Sequence, residues 1–241
     1  MERLGTLRHL CRYPVKSMQG EELRSARVGF TGLPGDRLCA FVQSALRSSF
    51  PWLTGREMPD LLRYRASYQD GATNPRRQPD VEVTTPAGEK LSADSEALRL
   101  EIERACGRAV RFHTDHRGNH DAAYLSIITT ATLRALCEAG GVPYDQRRFR
   151  MNLVVEDGSA PFSEAAWAGR ILRIGSVRLA VTEPDRRCAM ITFHPETGAA
   201  SPAVLRAAAD QNGACAGVYA SVITAGELNV GDELLLEGGE R

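Results

Sequence analysis

Ile171-Leu172-Arg173-Ile174-Gly175-Ser176-Val177-Arg178-Leu179-Ala180-Val181-Thr182 carries the strongest β signal in the chain. Apolar and polar residues alternate on both sides of Gly175-Ser176, a pair suited to a two-residue hairpin turn. The second arm runs on through Glu183-Pro184-Asp185-Arg186-Arg187-Cys188, then Ala189-Met190-Ile191-Thr192-Phe193-His194-Pro195-Glu196-Thr197-Gly198. The expected course is a strand ending at Pro184 and a charged turn over Asp185, Arg186 and Arg187. A second β-type run follows Cys188, and a turn closes it at 195–198. A thiol beside two guanidiniums has its thiolate stabilised, and the thiolate is the form that binds metals or attacks electrophiles. The competing reading of Cys188 is a small buried apolar residue.

Upstream, Leu4 to Val15 reads as a strand ending at Tyr13-Pro14-Val15-Lys16-Ser17. Pro14 belongs at an edge or strand end, which puts Lys16 and Ser17 where strand becomes loop. An ammonium and a hydroxyl there can face an anion or simply water. The glycines of Gly29-Phe30-Thr31-Gly32-Leu33-Pro34-Gly35-Asp36-Arg37 do not follow the dinucleotide spacing. They read as a turn, with Leu38 to Val42 as the returning strand. Asp36-Arg37 is a surface ion pair of little energy, or else Arg37 is aimed at a ligand. Trp52 anchors a loop, Asn74 to Pro79 is an exposed loop tip, and Val81 to Thr84 opens a hairpin through Ala87-Gly88-Glu89.

Three helices are expected. Asp94 or Ser95 caps one whose core face is Leu98, Ile102, Ala105 and Cys106, stopped by Gly107. Thr129 or Thr130 caps a second, through Leu133, Leu136 and Cys137 to Gly140-Gly141. Its start is either an anion site or a cap only. Ser201-Pro202 opens the third, with a serine cap. Between the first two lies His113-Thr114-Asp115-His116-Arg117-Gly118-Asn119-His120-Asp121. Three histidines invite a zinc reading, but no helix aligns them, and an exposed connection without metal is expected. Arg147, Arg148 and Arg150 put positive charge at the entrance of the strand Leu153-Val154-Val155. Two late strands, 218–224 and 233–236, complete a β-rich α+β chain: a barrel with appended helices.

Thirty basic and thirty acidic side chains cancel over 241 residues, so no global field favours nucleic acid or a membrane surface. No signal-peptide core and no spanning run is seen, which makes a cytoplasmic protein the expectation. The six cysteines make no C-x-x-C pair, and neither zinc-ribbon nor thioredoxin chemistry is supported.

Four blocks in order resemble the MOSC family, named for the C-terminal domain of molybdenum-cofactor sulfurase. They are Tyr13-Pro14-Val15-Lys16-Ser17, Gly32-Leu33-Pro34-Gly35-Asp36-Arg37, Arg148-Phe149-Arg150-Met151-Asn152-Leu153-Val154-Val155, and Arg187-Cys188 through Pro195-Glu196-Thr197-Gly198. The blocks are similar to the two-part form of the mitochondrial amidoxime-reducing components and their bacterial relatives. The resemblance implies an N-terminal β domain over 1–114 and a MOSC β-barrel domain over 115–241, with a molybdenum cofactor between them. It implies that Cys188 ligates molybdenum and is the catalytic residue, while Lys16, Ser17, Arg37, Thr129, Arg150, Asn152 and Arg187 hold the pterin and its phosphate. It implies reduction of N-hydroxylated or N-oxide-type small molecules with electrons from a separate electron-transfer protein. A non-enzymatic alternative is a cofactor carrier, or a carrier of persulfide sulfur on Cys188. Three positions depart from the family pattern: Asp185 replaces a second cysteine, Met151 a proline, and His194 an aspartate. Cys188, Lys16, Arg37, Arg150 and Asn152 are therefore expected to converge on one cleft.

Overall fold

The computed structural model describes residues 1–45, 48–69 and 80–238. The expected loop tip at Asn74 to Pro79 lies outside them. The N-terminal part runs β1 (Glu2–Arg12), β2 (Glu21–Leu23), β3 (Ser25–Val28), β4 (Cys39–Gln43), β5 (Arg65–Tyr68), β6 (Val81–Thr84), β7 (Lys90–Ser92), α1 (Glu96–Cys106) and β8 (Val110–Thr114). Then come β9 (Leu125–Thr129), α2 (Thr130–Ala139), β10 (Leu153–Glu156), β11 (Ile171–Ile174) and β12 (Val177–Arg186). The chain finishes with α3 (Ala203–Asn212), β13 (Cys215–Thr224), β14 (Gly226–Asn229) and β15 (Glu233–Leu236).

The largest sheet runs β10-β9-β13-β12-β11-β15-β1-β2, and β1 also pairs with β10, closing seven strands into a barrel. β1 is the closing strand. Its first half pairs with β15 and its middle with β10, with a register shift on each edge where the strand bends round the closure. Closure leaves no free edge in the barrel, whose pairs are antiparallel except β9–β10, and so protects the sheet from edge pairing. Its interior holds Leu7, Leu10, Leu125, Ile127, Leu153, Val155, Leu172, Ile174, Leu179 and Val218, all buried. The alternation read at 171–182 is the β11–β12 hairpin, and Gly175 takes φ +53 in its turn.

A second core lies under α1, with Val15, Met18, Phe41, Tyr64, Leu98 and Ile102. The pairs β4–β8 and β5–β6–β7 surround it. A third core packs α2 and α3 against Phe149, Met151 and Ile191. Two expected caps hold: Ser95 accepts from Leu98 N at the start of α1, and Thr129 from Thr132 N at the start of α2. At the end of α1, Gly107 closes the helix in the left-handed conformation at φ +68.

Several expectations are overturned. β12 passes through Pro184 to Arg186, because the register against β13 shifts on both sides of the proline, so no ladder bond from its nitrogen is needed. Residues 189–192 form a single 3-10 turn instead of a strand, tied by the Thr192 hydroxyl donating to Ala189 O at 2.7 Å. β4 does not return against β3; it pairs with β8, and β3 pairs with β14. Ser201 does not cap α3, whose cap position is Pro202 without a side-chain bond. Ala105 is exposed and Cys106 half-buried at the end of α1, where the helix leaves its core.

Candidate functional site

Backbone bonds bring the first two motif blocks together. Lys16 N donates to Cys39 O at 2.8 Å, Cys39 N to Pro14 O at 3.1 Å, and Arg37 N to Tyr13 O at 2.6 Å. Lys16 and Ser17 thus lie in a loop zipped to the turn carrying Arg37. This loop is flanked by Val15 and Met18 of the second core, while Arg150 sits between Phe149 and Met151 of the third. The seam between those cores is a cleft of about 310 Å³. Lys16, Ser17, Arg37, Arg150, Asn152, Arg187 and Cys188 all line it.

The backbone is strained here. Among the described residues, five that are not glycine have positive φ, and three of them line the cleft: Ser17 (+67), Arg37 (+53) and Arg150 (+56). Each such residue costs on the order of 1–3 kcal/mol and persists only where its surroundings fix it. All three aim their side chains from tight turns on separate segments.

The Asp36–Arg37 pair is buried, which overturns the surface reading. The Asp36 carboxylate accepts from Tyr13 N at 2.8 Å and Asn152 Nδ2 at 3.0 Å, and pairs with the Arg37 guanidinium. Arg37 also donates to Arg150 O at 2.9 Å. Burial is the largest influence and works to lower the Arg37 pKa, but the Asp36 charge and hydrogen bond together with Tyr13 outweigh it and the net direction is up. Arg150 has no such partner. It donates to Met18 O at 2.6 Å and stacks on Tyr13 at 4.5 Å, with Arg37 over the same ring at 4.8 Å. Burial, followed by repulsion from Arg37, brings its pKa down to about 10. Among the described residues it forms no salt bridge. The other two arginines of its cluster go elsewhere: Arg147 pairs with Asp145 and Glu196, and Arg148 donates to Thr192 O from the third core.

Asn152 is 1% exposed, and its amide is fully engaged. It accepts from Ser126 N and Oγ and donates to Cys11 O and Asp36 Oδ2. Its evident work is to fix Asp36, and through it Arg37. Lys16, 6% exposed, donates to Asn119 O at 2.6 Å and Asp121 Oδ1 at 2.8 Å and lies 4.7 Å from the Trp52 ring. Burial lowers its pKa, opposed by Asp121.

At the other end, Cys188 is exposed. Arg187 beside it pairs with Asp185 and donates to Phe149 O at 2.5 Å. Met151 fills the place of the family's proline with its sulfur 3.2 Å from Arg187. Asp185 is 3% exposed and takes a hydrogen bond from Tyr219. Burial raises its pKa, against the lowering effect of Arg187. Together the lining holds six basic side chains, Lys16, Arg37, Arg56, Arg150, Arg186 and Arg187, against two carboxylates, Asp121 and Asp185. In a chain of zero net charge this is a focused anion site.

Thr129 is not part of it. Its fully buried hydroxyl caps α2 and contacts Glu164 Oε2 at 3.1 Å, with Thr132 at 2.8 Å from the same oxygen. The group at this helix start is the protein's own carboxyl, and Thr129 serves as the cap. His194 also lies outside the cleft; its Nδ1 accepts from Glu196 N in the 195–198 turn. The three histidines part company. His113 pairs with Ala40 in β4–β8, His116 is exposed, and His120 lines the cleft. The segment is exposed over 115–117 as expected, but its second half is pinned by Asn119, which donates to Arg37 O and Leu38 O and accepts from Trp52 Nε1 at 2.7 Å. Sequence reading missed His120, Asp121, Tyr219 and the stacking role of Tyr13. Only Tyr13 carried a signal, as the aromatic opening a motif block.

Among the described residues no helix is long and apolar enough to cross a membrane. A family model described as the MOSC domain matches residues 113–235, and one described as the MOSC N-terminal beta barrel domain matches residues 4–128. Mitochondrial amidoxime reducing component 2 of Bos taurus is 25% identical over 236 residues, covering 82% of this chain and 69% of that protein. The Homo sapiens protein of the same name is 27% identical over 237 residues, with the same coverage. The crystal structure of the YuaD protein from Bacillus subtilis has a TM-score of 0.50 at 14% identity, covering 95% of this chain and 93% of that one, a likeness of fold.

Proposed function

The chain belongs to the MOSC family, and on that premise we propose that it binds a molybdenum cofactor and reduces N-hydroxylated or N-oxide-type small molecules. The observation that carries this is the convergence of Cys188 with Lys16, Ser17, Arg37, Arg150 and Arg187 on one cleft. The donor set fits the group. A phosphate-bearing pterin needs concentrated positive charge, and the lining has four more cations than carboxylates. Arg150 is a half-buried cation at the cleft without a carboxylate partner among the described residues, a place that an anionic ligand completes. An exposed thiol at the same cleft is a soft donor suited to a thiophilic metal.

Arg37 and Arg150 offer planar forks to phosphate oxygens, and Lys16 a point charge. Arg187, held by Asp185 and Phe149 O, fixes the backbone beside Cys188. When bound, the cofactor would supply two-electron oxygen-atom chemistry. The amidoxime-reducing relatives support the reductase reading, and a separate electron-transfer protein supplies the electrons. The exposure of Cys188 also favours a second reading, a carrier of the cofactor or of persulfide sulfur. The test is to express the chain in a host that makes the cofactor, assay metal and pterin, and follow reduction of an N-hydroxylated compound with a chemical electron donor. Loading with turnover is expected. Loading without turnover favours the carrier, and protein free of molybdenum and pterin refutes both cofactor readings.

A further inference from the structure

We propose that His120 is an anion-contacting residue of the cleft that takes up a proton when a dianionic group enters, so that the cleft binds dianions more tightly in mild acid. The proposal rests on the anion-site reading of the cleft. His120 lines the cleft, its ring edge to face with Tyr124 at a centroid distance of 5.4 Å. The Nε2–Cδ2 edge of the ring lies against Gly118. A Cβ at Gly118 would fall 2.2 Å from His120 Nε2, and Gly118 holds φ +83, so a side chain there would displace the imidazole. Among the described residues neither ring nitrogen makes a hydrogen bond, and with Nε2 packed on Gly118 it is Nδ1 that is left to meet a ligand or water.

The charges acting on the ring come from three segments: Lys16 from the loop after β1, Asp36 and Arg37 from the turn before β4, and Asp121 from its own connection. Burial first, then Arg37, with a further push from Lys16, brings the His120 pKa down to about 4. The imidazole is therefore neutral near pH 7 while the cleft lacks an anion. A bound dianion offsets the two repelling cations and makes the imidazolium favourable. Binding and protonation must then be linked. If the ordinary value of 6.5 is restored, the dianion binds about 30-fold more tightly at pH 5 than at pH 7.5. Near pH 5.5, close to one proton is taken up per anion.

Sulfate is the probe, because it stays fully ionised across this range. Sulfate binding to the full chain is measured by calorimetry between pH 5 and 7.5, in buffers of different ionisation enthalpy, for wild type, His120→Gln and His120→Asn. The two amides guard against one variant failing to fold. Affinity rising in acid with proton uptake in wild type, and flat in the amide variants, is the expected result. A flat wild-type profile, or the same slope in the variants, overturns the role of His120 while leaving the anion site intact. No sulfate binding at any pH overturns the anion-site reading itself, and this proposal with it.

Discussion

Asp36→Asn removes one charge and almost no volume from the centre of the site. Asp36 is 2% exposed, and its carboxylate has three partners: Tyr13 N, Asn152 Nδ2 and the Arg37 guanidinium. An asparagine carbonyl can still accept from Tyr13 N. Its amide nitrogen then meets the amide of Asn152, donor against donor, and Arg37 is left buried without its counter-charge. Arg37 retains Arg150 O at 2.9 Å, a long contact to Asn152 Oδ1 at 3.5 Å and its place over the Tyr13 ring, but no anion. Breaking one side of such a pair costs about 3–5 kcal/mol. Replacing both members removes the uncompensated charge, so Asp36→Asn with Arg37→Met should cost less than Asp36→Asn alone. Urea denaturation of the four proteins of this cycle gives the coupling directly. A cost below about 1 kcal/mol for Asp36→Asn, or strictly additive effects, would refute the buried-pair account.

Cys188→Ser should melt within a few degrees of wild type yet lose molybdenum-dependent turnover, whereas Cys137→Ser, at a buried site, should lose stability and keep turnover per folded molecule; wild-type turnover in Cys188→Ser would sink the ligand assignment. Gly217→Ala should destabilise by more than about 2 kcal/mol, because Gly217 holds φ +84 and a Cβ would meet Met151 Cε at 2.6 Å and Ile127 O at 2.7 Å; denaturant midpoints check this. Glu164 is buried, and its pKa is raised above 4.5, chiefly by desolvation. Its contribution is thus fully present below pH 4.5 and is lost as pH rises through the raised value. Glu164→Gln should flatten the fall in melting temperature from pH 5 to pH 8, and an equal fall in both proteins would contradict the account.

Local signals were readable where the chain satisfies itself locally. The 171–182 alternation, the Gly175-Ser176 turn, the Ser95 and Thr129 caps and the 81–92 hairpin each depend on neighbours a few residues away. The convergence of Lys16, Arg37, Arg150 and Cys188 was legible only through family resemblance, since no local pattern links four distant turns. What stayed hidden depends on long-range partners. Pro184 looked like a strand end because its tolerance comes from register shifts against β13. Asp36-Arg37 looked superficial because burial is imposed by Asn152, over a hundred positions away. His120 looked solvated because Asn119 pins its segment to the 37–38 backbone.

The closing strand of the barrel imposes an order on biosynthesis. Glu2 pairs with Leu236, and Thr6 with both Glu233 and Glu156. As the polypeptide leaves the ribosome, β1 emerges before every other described strand, yet one edge has no mate until β15 is translated. Until then β1 and β11 both present unsatisfied amides and apolar faces, the state in which strands find the wrong partner. Sealing the barrel is thus a late event of high contact order, and a slow one. Loss of β15 would leave open edges on β1 and β11, and a product lacking it is expected to aggregate.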